Sequence, residues 1–130
     1  MFVMIVCLSD KGVTTIIGEF FGDTNVVLKY GVTSFLSANL INNIPMSVLF
    51  SSIIETLGSA EVALPAVFAT VVGSNIGAFL TPIGALAGIM WSNILNEHEL
   101  KFGYVDFLKI GVTVAIPTLL SALAVLIIIF

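Results

Sequence analysis

Seven small polar side chains interrupt two long stretches of this sequence that carry no charge. They are Ser37, Asn39, Asn42, Asn43, Ser74, Asn75 and Thr81. Their amides and hydroxyls can donate and accept hydrogen bonds without carrying a charge. Burying such groups without partners is costly, so they either bind a small polar solute or satisfy an interrupted backbone. The first alternative makes all seven candidates for a substrate- or ion-binding site.

Both uncharged stretches have the pattern of a helix that is broken in its middle. The first covers residues 30–54 and the second residues 62–96, with predicted breaks at 36–45 and 74–81. Backbone without regular structure is tolerated at membrane depth only when it is buried in protein or lines a cavity. Paired breaks of this kind point to the substrate site of a secondary transporter. The residues expected to shape the breaks are Pro45, Gly73, Gly77, Pro82 and Gly84.

The breaks would expose four helix ends at one depth. Ends near Ser37 and Gly73 present free carbonyls, which suit cations, and starts near Pro45 and Pro82 present free N–H groups. Free N–H groups suit anions or the oxygens of a neutral hydroxyl species. Proline is tolerated at a helix start, where its missing N–H would have had no intrahelical partner. The sequence thus predicts a charge-free cradle for a small solute, with Thr81 capping the last half-helix.

The composition places these breaks in a membrane. The chain is 58% hydrophobic and 9% charged, with a mean hydropathy of +1.18, whereas a soluble domain has about 25% charged residues. We therefore expect a multi-pass protein of the plasma (inner) membrane, with the lipid bilayer as its main partner. Four basic residues in 130 are too few for a phosphate-binding patch, which argues against nucleic acid as a partner.

Nothing in the sequence has the pattern of a catalytic centre. The single histidine, His98, lies between Glu97 and Glu99 in a polar segment, and the single cysteine is Cys7. No glycine-rich loop ends in Lys-Ser or Lys-Thr, and no cysteines and histidines have zinc-ligand spacing. We predict that the chain is not an enzyme and that it needs neither a cofactor nor a metal.

The remaining elements follow from hydropathy and length. The first eight residues are too few to span about 30 Å of hydrocarbon, so they indicate the end of a longer helix. We therefore expect the chain to be the C-terminal part of something larger. Residues 10–21 have the spacing of an interfacial amphipathic helix, although a connecting loop is an alternative. The predicted elements are a helix end (1–8), an interfacial helix (10–21), paired half-helices (25–57), a broken helix (62–95) and a last transmembrane helix (110–130).

Three segments carry a resemblance to a known family. They are Ser-Ala-Asn-Leu-Ile-Asn-Asn-Ile-Pro-Met from Ser37 to Met46, Gly-Ser-Asn-Ile-Gly with Leu-Thr-Pro-Ile-Gly between Gly73 and Gly84, and Phe-Gly-Tyr-Val-Asp-Phe-Leu-Lys-Ile-Gly ending at Gly111. This pattern resembles the ion transporter superfamily, in its branch of arsenite permeases and NhaD-type sodium/proton antiporters. The resemblance covers essentially the whole chain but only the C-terminal third of a full-length transporter.

The resemblance implies an all-α membrane fold of two inverted repeats, each with a re-entrant hairpin and a broken helix. Residues 25–57 would be the hairpin of the second repeat and residues 62–95 its broken helix. The implied function is efflux of arsenite or antimonite against proton entry, sometimes with an ATPase subunit. A sodium/proton antiporter and a dicarboxylate or citrate transporter are alternatives, as are a non-transporting accessory subunit and an inactive remnant.

One hairpin and one broken helix enclose only half of such a site. We therefore expect a missing N-terminal half, or a second copy, to complete it. The 130-residue chain alone is expected not to transport.

Overall fold

The computed structural model describes residues 3, 7, 10–21, 25–41, 43–57, 59–82, 86–100 and 103–130. Asn42, Gly84 and most of the predicted helix end at residues 1–8 lie outside these ranges, and so do the side chains of Asn43 and Leu86. Every regular element in the described ranges is an α-helix. The helices are α1 (Val13–Phe21), α2 (Val26–Ile41), α3 (Asn43–Ile54), α4 (Ala60–Gly77), α5 (Leu86–Glu97) and α6 (Tyr104–Ile129).

Helices α2 and α4 form the centre of the fold and share its most extensive contact. Small residues make this possible, because they let two helix backbones approach closely where lipid provides no hydrophobic drive for association. A β-carbon placed on Gly77 would lie 2.9 Å from the Cα of Phe35, and one on Gly73 would collide with the carbonyl of Gly31. The spacing of Gly73 and Gly77 therefore serves close packing against α2.

Helix α3 packs against α2 and α4, and α1 packs mainly against α3. The core between them centres on Tyr30, which is fully buried. Its ring lies 5.0 Å from that of Phe21 and 6.2 Å from that of Phe50, in tilted and edge-on arrangements that aromatic rings prefer. Met46 and Ile53 of α3 complete this buried cluster.

Helix α6 crosses the outer side of α2 and α4 and presents most of its surface outward. Its 26 residues reach about 39 Å at 1.5 Å per residue. Leu119 and Leu123 are buried, while Ile116 and Leu120 are exposed. An apolar helix that is this exposed needs lipid or further protein around it.

Among the described residues, two helices are long and apolar enough to cross a membrane, namely Ala60–Gly77 and Tyr104–Ile129. Helices α2 and α3 are also apolar but shorter, with 16 and 12 residues. They reach about 24 and 18 Å, less than the roughly 30 Å of a hydrocarbon core. Neither would span a bilayer alone, which is the length expected of half-helices.

The helices before both breaks extend further than the sequence predicted. The first break was expected at residues 36–45, but α2 continues to Ile41 and α3 begins at Asn43. The second break was expected from Ser74, but α4 continues to Gly77 and α5 begins only at Leu86 rather than at Pro82. The helices continue through Asn39, Ser74 and Asn75, whose side chains donate to carbonyls of their own helices.

The last transmembrane helix also begins earlier than predicted. That helix was expected to start at residue 110, but residues 104–109 form the first turns of α6. Asp106 accepts a hydrogen bond from the N–H of Gly103 (3.2 Å) and so closes the helix start. The helix is continuous through Pro117.

Candidate functional site

The side chain of Asn39 connects the two breaks. Near the end of α2, its Nδ2 donates to the carbonyl of Phe35 (3.0 Å) and to that of Gly77 at the end of α4 (3.0 Å). Its Oδ1 accepts a hydrogen bond from Oγ1 of Thr81 (2.8 Å), which lies within the second break. We call Asn39, Gly77 and Thr81 the Asn39 clasp. The clasp places the C-terminal ends of α2 and α4 at one point in the fold.

The end of α4 is closed by a tightened turn. The N–H groups of Phe79 and Leu80 donate to the carbonyls three residues earlier, those of Ile76 (3.1 Å) and Gly77 (2.9 Å). The Gly77 carbonyl thus accepts from both Leu80 and Asn39. Carbonyls at a helix end normally lack intrahelical partners, so the clasp and this turn satisfy groups that the sequence suggested would be free for a cation.

Helix α6 also reaches the second break. A β-carbon placed on Gly111 would lie 2.7 Å from the carbonyl oxygen of Leu80 and 2.5 Å from that of Phe79. Only glycine permits so close an approach of helix and turn. The second break is therefore held between α2 on one side and α6 on the other, with Pro82 buried at its end.

The other predicted site residues are placed differently. Ser37 is half-buried near the end of α2, whereas Asn75 is exposed and donates to the Val71 carbonyl of its own helix (2.7 Å). Ser74 is buried and donates to the same carbonyl (3.0 Å). Thr81 donates its hydroxyl to Asn39 Oδ1, and its capping of the next half-helix stays a prediction, because residues 83–85 lie outside the description.

Four predicted positions lie either at the start of α3 or outside the description. Asn43 is the first residue of α3, and only its backbone lies within the description; Asn42 and Gly84 lie outside it. Pro45 is buried in the first turn of α3. Of the seven polar candidates, the described contacts bring together Asn39 and Thr81.

The chemistry available at the clasp is that of amides, hydroxyls and backbone carbonyls. The clasp itself carries no charge, and among the described residues no group of three His, Cys, Asp or Glu side chains could hold a metal ion. Such a site suits a solute that is uncharged or binds through hydroxyl groups, because nothing nearby compensates a buried charge.

Sequence reasoning missed a groove between α3 and α4. It has a volume of about 430 Å³ and is lined on the α3 side by Ser47, Ser51 and Glu55. Their i, i+4, i+8 spacing places them on one helix face, which was a readable signal. Thr70 and Ser74 line it from α4. The groove begins beside the two breaks and ends at the turn that joins the helices.

Comparison with known protein families identifies the family of this chain. The family model described as "Arsenical pump membrane protein", ArsB, matches residues 1–130, the whole chain. The chain belongs to the ArsB family. It is therefore an integral membrane protein, and the resemblance to arsenite permeases is confirmed.

Relatives of this ArsB-family chain include two bacterial proteins of the same name. It is 27% identical to the arsenical pump membrane protein of Escherichia coli K12 and 26% identical to the putative one of Bacillus subtilis, each over 97% of the chain. It is also 32% identical over 60% of its length to the human P protein. The chain spans about a third of the length of the bacterial relatives, at 31% and 30%. No solved structure matches it.

Proposed function

We propose that this chain forms the solute-handling part of a secondary transporter that exports arsenite or antimonite across the plasma (inner) membrane. The observation that supports this most strongly is the Asn39 clasp, which joins two helix interruptions through uncharged groups. The matching family supplies the substrate class, because it is a family of arsenical pump membrane proteins.

The chemistry of the clasp fits that substrate. Arsenite and antimonite are neutral trihydroxides at neutral pH, so they can exchange hydrogen bonds with amides and hydroxyls without a countercharge. A neutral solute also avoids the large desolvation cost that an ion pays at membrane depth. A dicarboxylate or citrate would bring two or more negative charges to a region where the clasp offers no cation.

We also propose the fold in which this site works. Helices α2 and α3 form a re-entrant hairpin over residues 25–57, and α4 with α5 forms the broken helix over residues 62–95. An inverted copy of this arrangement, from an N-terminal half or a second chain, would supply the other half of the site. An ATPase subunit is a further proposed partner.

The test is uptake of radioactive antimonite into everted membrane vesicles that contain the complete transporter. Wild-type protein is expected to accumulate antimonite when an ion gradient is imposed, and Asn39→Ala is expected to abolish accumulation while leaving membrane insertion intact. Thr118→Val is the matched control, because Thr118 is exposed on α6 and donates only to the Val114 carbonyl of its own helix.

The same vesicles separate the proposed function from its alternatives. Accumulation of citrate or exchange of sodium, with no antimonite signal, would assign the protein to another branch of the superfamily. Wild-type antimonite uptake in Asn39→Ala would show that the clasp only packs the helices.

A further inference from the structure

Polar side chains line both walls of the groove between α3 and α4, although both helices are apolar overall. Ser47, Ser51 and Glu55 follow one another along α3, and Thr70 and Ser74 face them from α4. The rest of the lining is aliphatic, from residues such as Ile54, Ala63 and Val67. Lipid chains offer hydroxyl groups no hydrogen-bond partner. Contact with lipid alone therefore does not explain why hydroxyl groups line both walls.

The hydroxyl of Thr70 supplies an independent observation. Thr70 lines the groove, is only 7% exposed, and its Oγ1 has no hydrogen-bond partner among the described residues. Other helical hydroxyls donate back to their own helix, as Thr33 does to Lys29 and Thr113 does to Lys109. A buried hydroxyl without a partner is destabilising, so a water or solute that bonds to it in the groove would stabilise the folded protein.

The two ends of the groove lie near different parts of the fold. Ser47 lies two residues after Pro45 in the first turn of α3, and Ser74 lies one turn before Gly77 of the Asn39 clasp. The other end is lined by Ser59 and Ala60, at the turn where α3 is joined to α4. The groove thus runs along both helices from the breaks to an exposed turn.

Charge restricts what could use the groove. Among the described lining residues Glu55 alone is charged, and it is exposed at the turn end. A carboxylate repels anions and leaves a neutral hydroxyl compound unaffected. Hydroxyl groups alternating with aliphatic side chains suit a small uncharged polyhydroxy solute, which needs hydrogen-bond partners but no countercharge.

We propose that this groove is a hydrated access path along which a small uncharged polyhydroxy solute moves between the exposed turn and the Asn39 clasp. The hydroxyl of Thr70 is a buried hydrogen-bonding group on the wall of this path. This inference rests on the proposed export of arsenite or antimonite, and it adds the route that the solute takes and the residues that line it.

Thiol accessibility tests hydration without requiring transport. In the complete protein with its native cysteines, including Cys7, replaced, Ser51→Cys is expected to react with a membrane-impermeant methanethiosulfonate at least tenfold faster than Ser52→Cys. Ser52 is the matched control, because it is the next residue of α3, donates to the Val48 carbonyl and does not line the groove. A cationic reagent should react faster than an anionic one, and Glu55→Gln should remove that difference.

Thr70→Val tests contact with the solute, since valine keeps the shape of threonine and removes the hydroxyl. The KM for antimonite is expected to rise about fivefold, which corresponds to about 1 kcal/mol, while the thermal midpoint is unchanged or higher. Thr118→Val should change neither quantity. Equal reactivity at positions 51 and 52, or a wild-type KM in Thr70→Val, would overturn the inference and leave antimonite export standing. A protein without antimonite transport but with fast reaction at position 51 would instead reject the proposed function and keep the hydrated groove.

Discussion

Replacing Asn39 and Thr81 singly and together measures how strongly the clasp joins the two breaks. Asn39→Ala removes the donated bond to Gly77 and the bond accepted from Thr81, which are the two contacts between α2 and the second break. Hydrogen bonds between transmembrane helices contribute about 0.6 kcal/mol each on average and up to about 1.7. Two such bonds together span about 1–3 kcal/mol, and Asn39→Ala is expected near the middle of that range, with a free energy of unfolding lowered by about 2 kcal/mol.

Thr81→Val removes only the bond to Asn39 and should lower the free energy of unfolding by about 1 kcal/mol. The double variant should be little worse than Asn39→Ala, because that change has already removed the partner of Thr81. The coupling energy of the cycle is then about 1 kcal/mol, well above the roughly 0.3–0.5 kcal/mol expected for independent sites.

The assay is unfolding in mixed micelles with increasing dodecyl sulfate, followed by tryptophan fluorescence or circular dichroism. A cycle of Asn39→Ala with Thr118→Val is the control and should be additive, because the Thr118 hydroxyl bonds only within α6. Additive losses in the Asn39 and Thr81 cycle would show that these side chains do not interact in the folded protein and would refute the clasp.

Three further outcomes follow from the packing around the breaks. Gly77→Ala should destabilise the protein by about 1–3 kcal/mol, because its β-carbon would meet the backbone of Phe35. Gly103→Ala is the control in the same unfolding assay and should have little effect. The nearest described atom to its β-carbon would be Asp106 Oδ2, at 3.6 Å. Gly111→Ala should cost a similar amount by forcing α6 away from Leu80, and a loss no larger than that of Gly103→Ala would contradict the contact. Asn75→Ala, which sequence reasoning expects to abolish transport, is the test of Asn75 as a binding residue; normal antimonite uptake would restrict its role to the bond with Val71.

The sequence was informative about the class of fold because hydropathy and length are local properties. Interrupted uncharged stretches indicated an all-helical membrane protein, and the resemblance at Ser37–Met46 and Gly73–Gly84 indicated the family that the whole chain matches. The positions of Pro45 and Pro82 near the breaks could be read for the same reason, since proline restricts its own backbone wherever it occurs.

The exact break positions could not be read, because they depend on where polar side chains find partners. Ser74 and Asn75 looked like the start of a break, but both donate to the Val71 carbonyl and remain helical. Asn39 and Thr81, by contrast, bond to each other across 42 residues of sequence. Composition and spacing cannot distinguish a side chain that bonds within its helix from one that bonds to another helix.

The groove was missed for a related reason. The serines at positions 47 and 51 are four residues apart, which was visible, but the partner face on α4 appears only when the two helices are packed together. The unpartnered hydroxyl of Thr70 is likewise a property of tertiary packing. A sequence shows which side chains share a helix face, but not what lies opposite them.

Cross-linking between the two breaks tests the account most directly. Cysteines at positions 39 and 81 replace side chains whose polar atoms are 2.8 Å apart, so a short bifunctional thiol reagent can join them. We expect the pair to cross-link rapidly in the membrane-embedded protein, and a pair at positions 39 and 75 to cross-link far more slowly, because Asn75 is exposed and bonds within its own helix. No cross-link at 39 and 81 in protein that is correctly inserted in the membrane, or a faster one at 39 and 75, would contradict the meeting of the breaks.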